Sequence, residues 1–543
     1  MLPVFFAGAA WILALLGIGR MAARWLGPGA GPGTHGLLGL FVLAVVGTSL
    51  HLFIPISPPI SAAMLLLGLG AFAWHARRDF QGISPALVLG LTALLEVFSV
   101  LNDFPVRHYD MGLYWLQSVK WTTESAQVPG LATLHARLGF NSSWFAVAAM
   151  LEHPLAVGKS GFLATTVLLF FGGWISIEGL QEMARGRRDF PSVLAASAAL
   201  LCIACLGELG GHSPDTAGAV IGFAALISWA RALDNADDFR HHAATAVVLS
   251  VFAFTIKISY VVLPAASFLF FLHRRRWLER DRRVAAGWLA TALLLVTWIA
   301  RGYLASGCPL FPSTVGCAPV SWATPASIAG DVSKWIRSWA RAPGKDPSTV
   351  LGNWDWLPAW ASGTLESRSV QMLLCVLGAA SLVLVLLRVR KLEPGALPLW
   401  GATAVGAVFW FVIAPTPRFG WGYLFALALI PASEAVAQLS RRWPGRGTAG
   451  AITTAALLAA IWTGSESLDW LRLVPASAYA VTSWPRIPSG ATHLRKTQAG
   501  DKVRVPLGSD QCWTAPIPCT PYFDPGISSH GIVRTTTAFP VHP

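Results

Sequence analysis

The sequence predicts an all-α integral membrane protein of about 14 transmembrane helices, on three observations. The chain is 54% hydrophobic and only 12% charged, with a mean hydropathy of +0.55, too apolar to present an ordinary soluble surface. Its apolar residues are gathered into runs of spanning length, and its basic residues punctuate those runs very unevenly. A net charge of +13 suggests nucleic acid only where basic residues cluster on one exposed face; here they sit between apolar runs, so nucleic acid is excluded as a partner. The 25 Trp fit a chain with many membrane–water boundaries, where an indole ring sits at headgroup level.

A spanning helix needs about 20 mostly apolar residues. Fourteen runs approach that length, at residues 2–19, 36–55, 60–75, 84–101, 160–178, 190–207, 217–231, 243–256, 260–273, 284–301, 369–388, 396–414, 421–437 and 448–463. Between 243–256 and 260–273, Lys257, Ser259 and Tyr260 interrupt what reads as two half-helices.

Alternate connections carry the positive charge. Those at Arg20 and Arg24, Arg77 and Arg78, Arg185–Arg188, Arg231–Arg240, Arg274–Arg283, Arg388–Lys391 and Arg441–Arg446 hold 21 Lys or Arg, against two, Lys257 and Arg418, in the short connections of the other side. The first set is therefore expected to be cytoplasmic, which puts both termini outside. The first apolar run has basic residues after it and none before, the reverse of a cleavable signal peptide, and reads as a retained span. The expected location is a bacterial inner (cytoplasmic) membrane, multi-pass, with periplasmic termini.

On this layout the chain divides into an N-terminal four-helix membrane segment (1–101), a first large periplasmic loop with interfacial helices (102–159), a membrane core (160–463) that includes a periplasmic loop at 302–368, and a periplasmic C-terminal region (464–543). Cytoplasmic connections are short, so function is expected in the long outer segments. Cysteine usage suits that compartment: Cys308 with Cys317, and Cys512 with Cys519, are close pairs flanked by Pro in outer regions, as small disulfide loops would be. Cys202, Cys205 and Cys375 lie in apolar spans and read as small core residues. A zinc site at Cys512 and Cys519 would need two further ligands, and only His530 is near, so no metal is expected.

The first outer loop begins LNDFPVRHYDMGLYWLQSVKW. Asp103 and Asp110 fall close to the membrane surface, with His108 and Tyr109 beside the second. Leu113, Leu116 and Val119 recur at helical spacing with Trp115 and Trp121 alongside, as in a helix lying flat on the membrane. Asp110 is also a favoured N-cap for that helix, and a second helix is expected to start at Asn141 or Ser142.

Ionisable residues recur at the outer boundary. Glu208, His212 and Asp215 fall between the sixth and seventh runs, Lys257 lies in the break, Arg301 ends the tenth run, and Arg418 sits in APTPRFGWG. A charge at this depth is unfavourable unless it is paired or faces a polar cavity, so each is a candidate functional residue. Arg301 and Arg418 taken singly also suit snorkelling to headgroups.

The segments YDMGLYWLQSVKW, VPGLATLHARLGFNSSWF, SGCPLFPS, APTPRFG and DQCWTAPIPCTPYF resemble the recurring motifs of a family of bacterial multi-spanning proteins that is similar to the GT-C class of glycosyltransferases. The likeness runs from about residue 85 to the end of the chain. It implies inverting transfer of a sugar from a polyprenyl-phosphate carrier to a periplasmic or lipid-linked glycan acceptor, with an acid in the first large outer loop. That acid maps onto Asp110, or else Asp103. Four apolar spans precede the loop, where many members of the class have one.

The chemistry can be argued from the residues as well. An acceptor hydroxyl must lose a proton as it attacks the anomeric carbon, which suits one carboxylate as general base. The departing lipid phosphate gains charge, which suits Lys257, Arg301 and Arg418 as positioned cations. His108 is expected among the catalytic residues with Asp110 and Asp103, and Tyr109, His212 and Asp215 with the cations in the set that binds substrate and carrier phosphate, His108 and His212 shaping the polar pocket. The donor would be a polyprenyl-phosphate-linked sugar, with membrane lipid and a glycan or lipid acceptor as partners, and nothing in the sequence indicates a divalent metal. A polymerase or ligase of the O-antigen type, acting on lipid-linked saccharide, is the nearest alternative. A lipid or polysaccharide transporter is the other, and it should carry ionisable groups at mid-membrane depth, where Lys257 alone qualifies.

Overall fold

The computed structural model describes residues 1–26, 30–79, 84–102, 108–234, 238–273, 282–389, 395–443, 481–498 and 500–526. Ten helices among them are long and apolar enough to cross a membrane, and Pro85–Leu101, Phe190–Ala204 and Ile258–His273 are shorter apolar helices. These thirteen account for the first thirteen runs read from the sequence; the fourteenth, at 448–463, lies outside the described residues. The protein is thus an all-α membrane protein, with one small hairpin among the described residues.

Proline sets many of the helix starts. It occupies the first turn of Pro32–His51, Pro85–Leu101, Phe190–Ala204 and Pro417–Arg442, where its missing N–H removes no internal hydrogen bond and its fixed φ suits the helix. Ser84 and Asp189 cap the second and third of these through side-chain bonds to the Leu87 and Ser192 amides. Pro32 also explains why the second helix starts four residues before its hydropathy peak, and Pro417 why Arg418 belongs to a helical first turn rather than to a loop.

Between helices in lipid, close packing and hydrogen bonds replace the hydrophobic drive. Gly19 and Gly39 let Leu2–Leu26 and Pro32–His51 touch backbone to backbone: a Cβ on Gly19 would collide with the His35 carbonyl, and one on Gly39 with that of Leu15. Around them Trp11, Phe41, Phe171 and Phe252 are almost wholly buried in one continuous core. The expected break is present. Phe239–Ile256 ends at Lys257, whose φ −147° and ψ 121° are extended, and the chain resumes as a short turn at Ile258–Val261 and a helix at Val262–His273.

The first long loop packs inside the protein. Residues 111–115 form a π-helical turn that runs into Leu116–Glu124, and Leu113, Trp115, Leu116, Gln117, Val119 and Trp121 are all buried. The flat, lipid-facing helix expected from the spacing is instead enclosed by Ser143–Met150 and by the C-terminal segment. Ser142 caps Ser143–Met150 through the Trp144 amide, as the sequence suggested. The loop after Ser306 carries the helices Ala326–Trp339, Pro347–Val350 and Leu357–Leu365. Two disulfides are formed, Cys308–Cys317 and Cys512–Cys519. An antiparallel pair, Thr492–Lys496 with Lys502–Pro506, lies just before the second of them.

Candidate functional site

Asp110 has helical backbone angles and its side chain makes no capping bond. Its carboxylate instead meets two guanidinium groups: Arg418 Nη2 donates to Oδ2 at 2.8 Å and Arg137 Nη1 to Oδ1 at 3.2 Å. The side chain is only 8% exposed. Burial opposes ionisation, but Arg418 and then Arg137 outweigh it and hold the Asp110 carboxyl below the usual carboxylate range.

Arg418 organises the cluster. Its Nη1 donates to His108 Nε2 at 2.8 Å and its Nε lies 3.6 Å from Asp215 Oδ2. A guanidinium has no acceptor and stays charged, so His108 Nε2 must accept and the imidazole proton must sit on Nδ1. His108 is thereby held neutral, and burial pushes its pKa down despite Glu208 at 3.4 Å. Its ring stacks on Trp115 with centroids 4.1 Å apart. Asp215, in the first turn of Pro214–Asp234, forms an ion pair with Lys257, whose ammonium lies 3.7 Å from the centre of the Phe419 ring. Lys257 makes this pair from the extended backbone of the helix break. Trp339 lies beside Arg418, with its ring centre 6.0 Å from the guanidinium carbon.

Five chain segments therefore converge at one end of the bundle: the first long loop, the connection before Pro214, the break at Lys257, the start of Pro417–Arg442, and Ala326–Trp339. Three cations (Arg137, Lys257, Arg418) interleave with three acids (Asp110, Glu208, Asp215). Arg137 went unassigned in the sequence; its signal was a lone cation within the apolar stretch LATLHARLGF.

Three other candidates sit elsewhere. His212 Nε2 pairs with Ser160 Oγ at 2.8 Å, and Ser160 donates to Glu152 Oε1 at 2.7 Å, a buried chain under the first loop. Arg301 is buried too, with Nε 3.4 Å from Gln127 Oε1 and no ion pair to the Asp110 cluster. Tyr109 is about half exposed and its hydroxyl donates to Asp510. Asp103 lies outside the described residues. Among the described residues no three His, Cys, Asp or Glu side chains form a metal-ligand set.

A family model described as a domain of unknown function (DUF8201) matches residues 1–425. The chain belongs to that family. The matched span takes in the first loop, Asp215, Lys257 and Arg418, so the DUF8201 region holds every charged residue of the cluster, whereas the disulfide at Cys512–Cys519 lies beyond it. No curated protein and no solved structure matches the chain.

Proposed function

We propose that the protein is an inverting membrane glycosyltransferase that moves a sugar from a polyprenyl-phosphate carrier to a glycan or lipid acceptor outside the inner membrane. The observation that carries this reading is the pairing of Asp110, an acid of the first long loop, with Arg137 and Arg418. In that state Asp110 is a weak base, because two guanidinium groups stabilise its charge. A carrier phosphate competes with a carboxylate for the same planar fork. As the phosphate takes up Arg418, Asp110 loses its strongest partner and becomes more basic just where an acceptor hydroxyl must give up its proton. The attacking oxygen bonds to the anomeric carbon as the bond to the phosphate oxygen breaks; the proton passes to Asp110, and the lipid phosphate leaves as an anion held by Arg418 and Lys257. Donor binding and activation of the base are thus one event, which suppresses proton transfer to Asp110 in the empty site.

The test is sugar transfer in membranes supplied with a defined polyprenyl-phosphate sugar. The wild-type protein should turn over the donor, and Asp110→Asn, at equal abundance, should lose about a hundredfold or more of that rate. An Asp110→Asn protein as active as the wild type removes Asp110 as the base. If Asp103→Asn is then inactive, the base moves to that residue.

A further inference from the structure

The described C-terminal residues, 481–498 and 500–526, fold back on the stretch that carries Asp110. Trp513 N donates to the Gly112 carbonyl at 3.0 Å. Gln117 Nε2 donates to the carbonyls of Trp513 and Ala515 at 3.0 and 2.9 Å, and Gln511 Nε2 donates to that of Tyr109 at 2.8 Å. The Trp513 indole lies flat on Gly112: a Cβ there would come within 2.5 Å of its Cε2, so residue 112 must be glycine for the ring to seat. Trp513 itself has φ +45°, a left-handed conformation that a bulky side chain adopts only where its surroundings impose it. What imposes it is close at hand. The Cys512–Cys519 bond closes the loop, and Arg504 N and Thr520 N tie that loop to the hairpin through the carbonyls of Pro518 and Arg504.

The stretch so gripped is the π-helical turn at 111–115, whose wide hydrogen-bond ring is less stable by itself than an α-helical one. On its inner side Met111 packs against Gly161; on its outer side lies Trp513. We infer that Trp513 is a positioning residue for Asp110, and that the Cys512–Cys519 disulfide is the latch that presents it, making the site sensitive to dithiol reductants. Reduction is balanced in the ordinary way. The dithiol gives two electrons and two protons to the Cys512–Cys519 bond, leaving two thiols, and is itself oxidised to a disulfide. The link to catalysis rests on the glycosyltransferase reading; the clamp on residues 109–117 does not.

The experiment therefore has two arms on the full-length, detergent-solubilised chain. Hydrogen exchange over residues 109–117 should speed up by about tenfold or more in Trp513→Ala, in Gly112→Ala, in the Cys512→Ala/Cys519→Ala double variant and after dithiothreitol. It should stay near wild type in Trp513→Phe, in Cys308→Ala/Cys317→Ala and across residues 160–184. In the transfer assay Trp513→Ala should lower kcat by about tenfold to a hundredfold with the donor KM within about twofold, and Trp513→Phe should recover most of the rate. Unchanged exchange at 109–117 in both Gly112→Ala and the Cys512/Cys519 variant overturns the clamp, even if Trp513→Ala fails to accumulate. A raised donor KM with unchanged kcat overturns the positioning role and makes Trp513 a donor contact. Faster exchange in a wild-type background that transfers no sugar leaves the clamp standing and removes the glycosyltransferase reading instead.

Discussion

Arg418 Nη2 lies 2.8 Å from Asp110 Oδ2, joining the first turn of a membrane helix to a loop residue 308 positions earlier. Both groups are largely shielded, so neither is indifferent to loss of the other.

That dependence can be measured. Removing one partner of a shielded ion pair strands the other charge, so Asp110→Asn and Arg418→Gln should each destabilise the protein, while the double variant should lose less than their sum. A coupling of about 1–3 kcal/mol is expected from unfolding of the four proteins of the cycle in detergent. Strict additivity, within about 0.3–0.5 kcal/mol, would show that the contact is not maintained in solution.

Stability should fall as the solution is acidified. Burial pushes the His135 and His212 imidazoles down to about 3, so both are neutral when folded and free to protonate when unfolded. Between the ordinary histidine value of about 6.5 and about 3 the unfolded chain then binds more protons, so stability is fully present above that window and is lost as pH falls through it. Asp110, held below its ordinary 3.8, adds stability that is fully present above that value and is lost as pH falls from there toward its folded-state pKa. The midpoint of thermal unfolding should drop between about pH 7.5 and about pH 5, and His135→Gln should flatten that drop. A flat profile in the wild type contradicts the buried neutral imidazoles.

The seven cysteines should sort into three kinds of behaviour. Mass spectrometry of unreduced protein should link Cys308 to Cys317 and Cys512 to Cys519. Cys202 and Cys205 are buried and should resist every maleimide, whereas Cys375, expected in the core but exposed on the Arg368–Leu386 helix, should take a membrane-permeant reagent and refuse a charged one. Free thiols at both linked pairs in protein extracted without reductant argue against an oxidising compartment for those segments.

Orientation has its own assay. A reporter active only outside the cytoplasm should work when fused near residues 130, 340 or 500 and fail near 80, 280 or 442. An active reporter at 280 reverses the assignment.

The spans were legible because hydropathy over a window of spanning length is a collective property. Their ends were less so, because single prolines set them: Pro32 and Pro417 begin their helices several residues before the apolar peak. The half-helix break was legible from Lys257, Ser259 and Tyr260 standing in an apolar run. Asp110 was legible as a candidate from its position in the loop, but its partners were not. Arg137 and Arg418 reach it from separate parts of the chain, and capping propensity offered a local explanation that the backbone angles do not bear out. Arg301 shows the reverse. Its position near a helix end grouped it with Lys257 and Arg418, but the rotation of its helix turns it toward Gln127. The burial of residues 111–121 was hidden for the same reason, since the face that spacing assigned to lipid is covered by residues about four hundred positions later.

That separation also orders the protein's assembly in time. Tyr109 and Asp510 are 401 residues apart, and chains grow at about 5–20 residues per second, so the first loop emerges roughly 20–80 seconds before the segment that will cover it. For that interval Gly112 has no indole against it and Gln117 has no carbonyls to bind. A ribosome stalled shortly before Trp513 would leave the ten long apolar helices of the described residues made but the outer end unfinished, so maturation of the site is tied to completion of the chain rather than to insertion of those helices.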